Sequence, residues 1–439
     1  MHKGKNNEAA KNAEDIQKTE VPGNRRGTLW TKDFSCITLA TVLSAIGGEA
    51  MNLPVSLLIF DKTGSPFLSA LIMVCGMLPD VLFPVFVAPF IDKGSKKRWI
   101  VGLDILLAAI YLLMGFLVSG TRFVFAVYPL FTLTVGTISV FYRLAYLAWY
   151  PDLIPYGAEQ KGYAVSGTIY PLITIAMSPF AAFLYANVSI ENLFFGVSAL
   201  TVVSVCIESA VRERRRERHT VYSFRAYCAD IREGFRYLKQ EKGIRNIYTY
   251  MGIMQGSSEG MALITQVYFQ TQLIFSVVML GFLKSTEMIG RVLSGLIWYK
   301  AQIPVHKRYT FTRFVYLFYS LMDMLLLFIP YPAMLINRFV CGGLGTASAT
   351  VRESAVQSYL PDEMRARVNA LFNVLFAVGG VFFQFFAGIL AQALPYRAVA
   401  LLLGGIAIGS MFFFIVLPAK DNRPVYEAVR ECSVGKDCL

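Results

Sequence analysis

The sequence predicts an all-α membrane protein: twelve transmembrane helices in two pseudo-symmetric six-helix bundles. Three observations predict it. Apolar runs of about 20 residues or more recur along the chain, the length a helix needs to cross a bilayer core. Only 16% of the 439 residues are charged, 55% are hydrophobic, and the mean hydropathy is +0.52; a soluble chain carries about 25% charged residues. The chain also repeats itself. A shift of 210 carries Glu49 to Glu259, Met51 to Met261, Lys97-Arg98 to Lys307-Arg308 and Pro151-Asp152 to Pro361-Asp362. Four coincidences at one offset read as two similar halves in tandem.

In order, residues 1–32 are polar and read as a disordered arm, with no signal peptide. The first bundle occupies 33–210, with spans at 34–60, 66–91, 99–119, 123–149, 163–186 and 191–210. The second occupies 246–418, with spans at 246–270, 274–299, 309–329, 331–352, 367–393 and 396–418, and a tail of 419–439 follows. Glycines and prolines inside the spans, such as Gly47-Gly48, Pro54, Pro79 and Gly342-Gly343-x-Gly345, allow close approach of helices and kinks.

One set of connections holds Lys93, Lys96, Lys97, Arg98, Lys161, Lys300, Lys307, Arg308, Arg365 and Arg367, while the other holds only Lys62, Arg122 and Arg397. The basic set is cytoplasmic by the positive-inside rule, and both termini share its side of the cell membrane. The net charge of +12 therefore fixes topology rather than binding nucleic acid. Between the bundles, 211–245 opens on the basic run Arg212–Arg218. Apolar residues at 231, 235 and 238 then predict an amphipathic helix with a cationic face. It is either a helix lying on anionic lipid or a solvated linker.

Seven cysteines have no metal-site spacing, and the three histidines lie outside the spans, so no metal site or cofactor is expected. No phosphate-binding Gly-x-x-x-x-Gly-Lys-Ser/Thr loop is present, which argues against ATP drive within the chain. No convergent nucleophile, base or metal set marks an enzyme.

Ionisable residues inside a bilayer are expensive, about 2.5–3.5 kcal/mol at mid-depth on insertion scales, and functional by default. Glu49, Asp80, Glu259 and Glu287 fall near mid-depth and are the expected proton-coupling or substrate-cavity acids. A carboxyl in an apolar cavity can bind and release a proton near neutral pH, because burial disfavours its charged form. Lys284, Glu287 and Arg291 share one helical face, and the other reading of Glu287 is a pair with Arg291 that holds the bundle together. Asp323 and Arg338 lie at similar depths on adjacent spans and are expected to pair. Asp92, Asp104 and Arg143 are expected at or just inside the cytoplasmic surface.

The twelve spans, the long central connection and Ala88-x-x-x-Asp92-Lys93-x-x-Lys96-Lys97 resemble the major facilitator superfamily, whose 2–3 loop reads Gly-x-x-x-Asp-Arg-x-Gly-Arg-Arg. Ala88 stands in place of the first glycine. Phe60-Asp61-Lys62-Thr63-Gly64-Ser65, Tyr150-Pro151-Asp152-Leu153-Ile154-Pro155 and Ser178-Pro179-Phe180-Ala181-Ala182 are similar to its bacterial secretion-type exporters, the branch of macrolide efflux and siderophore export. The resemblance implies a central cavity lined by the first helix of each half. It implies a gating loop in which Asp92, with Lys93, Lys96, Lys97 and Arg98, caps a helix of the opposite half, with Asp104 and Arg143 in the same charge relay. The expected function is proton-coupled export of a small amphiphilic compound by a monomer. The alternatives are a facilitator or importer of a nutrient or lipid-like solute and, from another class, a membrane-embedded enzyme or sensor.

Overall fold

A computed structural model of the chain describes residues 29–83, 95–120, 123–155, 158–212, 224–301 and 303–428. The arm through residue 28 and Asp92 and Lys93 of the 2–3 loop lie outside these residues. The described residues fold into helices: α1 Lys32–Thr63, α2 Pro66–Leu82, α3 Lys96–Gly120, α4 Val127–Leu153, α5 Glu159–Asn187, α6 Ile190–Ser209, α7 Phe224–Gln240, α8 Lys242–Thr271, α9 Val277–Lys300, α10 Arg308–Leu325, α11 Tyr331–Tyr359, α12 Asp362–Ala393, α13 Tyr396–Met411 and α14 Ala419–Tyr426.

The stretch Phe60–Ser65 is a stop, a turn and a start. Gly64 ends α1 in the left-handed region, with φ of 62°, and its N–H donates to Phe60 O at 2.7 Å. Only glycine takes that conformation without a Cβ penalty. Ser65 then caps α2, its hydroxyl accepting from Leu68 N at 3.4 Å, and Pro66 opens the first turn, where no N–H is needed.

Eight of the described helices are long and apolar enough to cross a membrane. The others depart from that pattern for visible reasons. Helix α2 is apolar but short, ending at Leu82 with Phe83 as its cap. Helices α8, α9 and α11 are long enough but carry Gln255, Glu259 and Gln266, then Lys284, Glu287 and Arg291, then Arg338 and Arg352. Those residues turn towards other helices or a cavity, so hydropathy understates them.

Helix α3 packs on α6, α1 on α5 and α6, and α2 on α4 in the first half; α8 packs on α12 and α13, and α9 on α11, in the second. Helices α2 with α12 and α5 with α9 join the halves. A core shared by both halves, including Leu57, Phe60, Ala70, Met261, Phe269 and Ala387, lies towards the end of the molecule marked by Gly64. Hydrogen bonds between the halves cluster there too. Gln266 Nε2 donates to Ser56 Oγ at 2.9 Å, Gln270 Nε2 to Asp61 Oδ1 at 2.8 Å, and Gln392 Nε2 to Ser65 Oγ at 3.3 Å. The molecule is thus fastened between its halves at the Gly64 end.

The α9–α11 crossing shows what the glycine run at 342 is for. A Cβ on Gly342 would strike the carbonyl oxygen of Glu287, and one on Gly290 the carbonyl oxygen of Phe339. Neither obstacle can swing aside. Gly342→Val is expected to cost about 3 kcal/mol or more, the top of the usual range for overpacking. Thermal unfolding in detergent measures it, and a wild-type midpoint would refute so close an approach.

Helix α7 docks on α12 rather than standing apart. Gly234 lies against the Arg367 main chain, Glu233 Oε2 pairs with Arg367 Nη1 at 2.9 Å, and Leu238 is buried, while Phe235 remains exposed. The tail also begins with structure that the sequence reading did not anticipate. Helix α13 loosens into a π turn over Phe412–Val416. Asn422 on α14 folds back and donates Nδ2 to the Phe414 and Ile415 carbonyls at 2.7 and 3.1 Å, meeting acceptors beside that turn.

Candidate functional site

A cavity of about 890 Å³ runs between the halves. Its charged wall comes from six side chains: Glu49 on α1, Asp80 on α2, Asp104 on α3, Arg143 on α4, Glu259 on α8 and Lys284 on α9. Four carboxyls thus meet two cations. Tyr142, Tyr146 and Tyr170 add aromatic surface, whereas Phe34 and Tyr250 are fully buried in the packing of their own halves.

The repeat-related acids sit as counterparts, since α1 and α8 are the first helices of the two halves. Glu49 is half-buried, and its Oε1 accepts from Thr174 Oγ1 at 3.2 Å. Glu259 Oε1 accepts from Gln255 Nε2, one turn earlier, at 2.9 Å. Lys284 is open to the cavity, and the charges acting on its ammonium are those of Glu49, Glu259 and Glu287. Asp80 is not isolated at mid-depth: Arg143 Nη2 bonds its Oδ1 at 2.6 Å, with both side chains exposed to the cavity. Arg143 therefore holds a cavity acid here, whereas the sequence reading placed it in a relay at the cytoplasmic surface.

Of the two readings for Glu287, a cavity acid and a partner of Arg291, the structure has the second. Glu287 is absent from the cavity wall and accepts from Arg291 Nη2 at 2.7 Å, with Arg338 Nη1 at 3.6 Å. Arg338 in turn donates Nη2 to Asp323 Oδ1 at 2.6 Å. Residues 284, 287 and 291 share a face, but a face has breadth: Lys284 reaches the cavity, Glu287 turns towards Arg338 on α11, and Arg291, itself exposed, bonds back to Glu287.

The basic residues after the 2–3 loop tie down their own half. Lys96 Nζ donates to Ala148 O at 3.0 Å and lies 3.6 Å from Asp152 Oδ2, and Lys97 Nζ donates to Ser209 O at 2.7 Å. Ser209 is the last residue of α6, so Lys97 satisfies a carbonyl that has no intrahelical partner. Arg98 is exposed. Asp104, early in α3, is 2% exposed; it lines the cavity beside Ser44, whose Oγ donates to its Oδ2 at 3.3 Å.

Two features escaped sequence reasoning. One is the polar seam of Ser56, Gln266, Asp61 and Gln270 that fastens the halves. Ser56 and Gln266 are related by the same shift of 210 that relates Glu49 to Glu259, and that signal was available. The other is Glu208, fully buried beside Asp104 and Tyr142.

Comparison with known proteins places this architecture. The family model of the Major Facilitator Superfamily matches residues 249–431. Macrolide efflux protein A of Streptococcus pyogenes is 24% identical over 276 residues, spanning 61% of this chain and 67% of that protein. YvqJ of Bacillus subtilis, an uncharacterized MFS-type transporter, is 21% identical over 282 residues, or 63% of this chain and 66% of that one. Among solved structures, a bacterial homolog of the human lysosomal transporter Spinster, inward-facing and unoccupied, superposes with a TM-score of 0.66 at 12% identity, covering 91% of this chain and 98% of that one. A POT family transporter in complex with 5-aminolevulinic acid gives 0.63 at 12% identity, over 88% and 96%. At such identities the structural likeness is one of fold, and it extends over both halves of the chain. Residues 249–431 thus match the Major Facilitator Superfamily, and the chain as a whole shares the fold of the solved transporters and resembles that family across both halves.

Proposed function

We propose that the chain is a proton-coupled exporter of small amphiphilic compounds, cations among them, working by alternating access. The observation that carries this reading is the cavity wall: four carboxyls against two cations, with a repeat-related acid on the first helix of each half. An excess of intramembrane carboxyls is stable only if protons or cationic cargo balance it. Competition between cargo and proton for one acid couples the two by linkage. The aromatic surface from Tyr142, Tyr146 and Tyr170 suits apolar cargo.

In this reading α1–α6 and α8–α13 are the twelve spans, forming bundles over 33–210 and 246–418 joined by the 211–245 linker. The seam at the Gly64 end closes the outer side, both termini are cytoplasmic, and the bundles of a monomer rock about the cavity. Macrolides enter as candidate cargo through the similarity to macrolide efflux protein A. The test is accumulation of macrolides and lipophilic cations in proteoliposomes under an imposed pH gradient. We expect uphill accumulation that a protonophore collapses; accumulation that survives the protonophore sinks the proton-coupled reading.

A further inference from the structure

A second acidic centre runs back from the cavity wall at Asp104 to Glu208, where α1, α3, α4 and α6 meet. Asp104 and Glu208 are 2% and 0% exposed. Ser44 Oγ donates to Asp104 Oδ2 at 3.3 Å and lies 3.1 Å from Ser204 Oγ, one turn before Glu208. Ser204 Oγ in turn reaches Ala40 O at 3.2 Å, so its lone pairs remain available to the cluster. Tyr142 OH donates to Glu208 Oε1 at 3.0 Å. The other carboxylate oxygen, Glu208 Oε2, is buried with no hydrogen-bond partner among the described residues.

Among the described residues, no cation is bonded to either carboxyl of this pair. The ionisable groups acting on Glu208 are Asp104 and Tyr142, and the hydroxyl bonded to Asp104 is that of Ser44. Lys97, the basic side chain at this end of α6, is bonded to the Ser209 carbonyl. Two carboxylates withdrawn from water beside one another repel, and each pays a large desolvation cost, so both are not held ionised without a counter-charge. An orphaned carboxylate oxygen is the atom such a counter-charge would occupy.

We propose that Asp104 and Glu208 form a binding site for a small monovalent cation, a proton or Na⁺, loaded from the cavity through Asp104. The donors are all hard oxygens: two carboxylates with the hydroxyls of Ser44, Ser204 and Tyr142 around them. Asp104 lines the cavity and Glu208 does not, so Asp104 is the entry and Glu208 the inner ligand. The site is separate from the Glu49–Glu259 centre and does not depend on cargo or transport direction.

The experiment uses the purified full-length chain without any transport step. Thermal unfolding is followed in NaCl against choline chloride at equal ionic strength, and infrared difference spectra are recorded on a pH step. For sodium, the midpoint rises saturably with NaCl, and Glu208→Gln weakens the apparent affinity by at least about tenfold, equivalent to about 1.4 kcal/mol. For a proton, NaCl has no specific effect, and the spectra show a carbonyl stretch from a water-shielded carboxylic acid that Glu208→Gln or Asp104→Asn removes. Should Glu208→Gln not fold, Asp104→Asn and Ser44→Ala must weaken whichever signal the wild type gives. A wild type with neither signal, or a signal untouched in the folded variants, overturns the site.

Discussion

Glu49→Gln is expected to fold and yet to lose uphill transport. The substitution is nearly isosteric, and the new amide oxygen can still accept from Thr174 Oγ1 as the carboxylate does at 3.2 Å. What disappears is the ability to exchange a proton. Glu49 lines the cavity opposite Lys284 and Glu259, where cargo and proton would compete for the same carboxyl. Coupling free energies of about 1–3 kcal/mol correspond to about 5–150-fold, so accumulation driven by a pH gradient should fall within that range. Downhill exchange of cargo should persist, because that leg needs the cavity but not the proton. Proteoliposomes measure both legs on the same preparation. If Glu49→Gln accumulates cargo as wild type does, Glu49 is not the coupling acid. Its counterpart Glu259 then becomes the next residue to neutralise, because the repeat places it at the equivalent position of the second half.

What the sequence made legible was whatever repeats or counts. The 210-residue shift placed Glu49 and Glu259 in one cavity wall, and the run at 342–345 marked the tightest contact of α9 with α11. Depth along a span was also readable, which is how Asp323 and Arg338 came to be paired. Azimuth was less so. Depth alone put Glu287 in the cavity; the i, i+4 spacing offered Arg291 as its partner instead, and the packing of α9 on α11 adds Arg338. Glu208 was hidden for a related reason. At the end of an apolar run, beside Arg212 and the basic linker, an acid reads as a boundary charge. Its burial comes from α1, α3 and α4 closing around it, contacts far apart in sequence and without local periodicity.

The buried network around Arg338 should be the most sensitive point for stability. Arg338 is 7% exposed and Asp323 8% exposed, and their bond at 2.6 Å lies between α10 and α11. Arg338 Nη2 also reaches Asn337 Oδ1 at 3.3 Å, and Asn337 Nδ2 donates to Met322 O at 2.8 Å, so the guanidinium organises polar groups on both helices. Arg338→Met removes the cation and leaves Asp323 buried without its partner, a defect that costs about 3–5 kcal/mol in comparable buried pairs. Glu287 loses less, because Arg291 still holds it at 2.7 Å. Arg338→Lys should fall between wild type and Arg338→Met: it keeps the charge but not the planar fork that spans Asp323, Glu287 and Asn337. The decisive variant is the double substitution Arg338→Met with Asp323→Asn. If the cost is an uncompensated buried charge, removing the acid as well should restore much of the lost stability, and the double-mutant cycle will be strongly non-additive. Thermal unfolding of the four proteins in one detergent supplies the cycle. Additive losses would mean that the two side chains pack independently, and the pair would then contribute nothing beyond the space it fills.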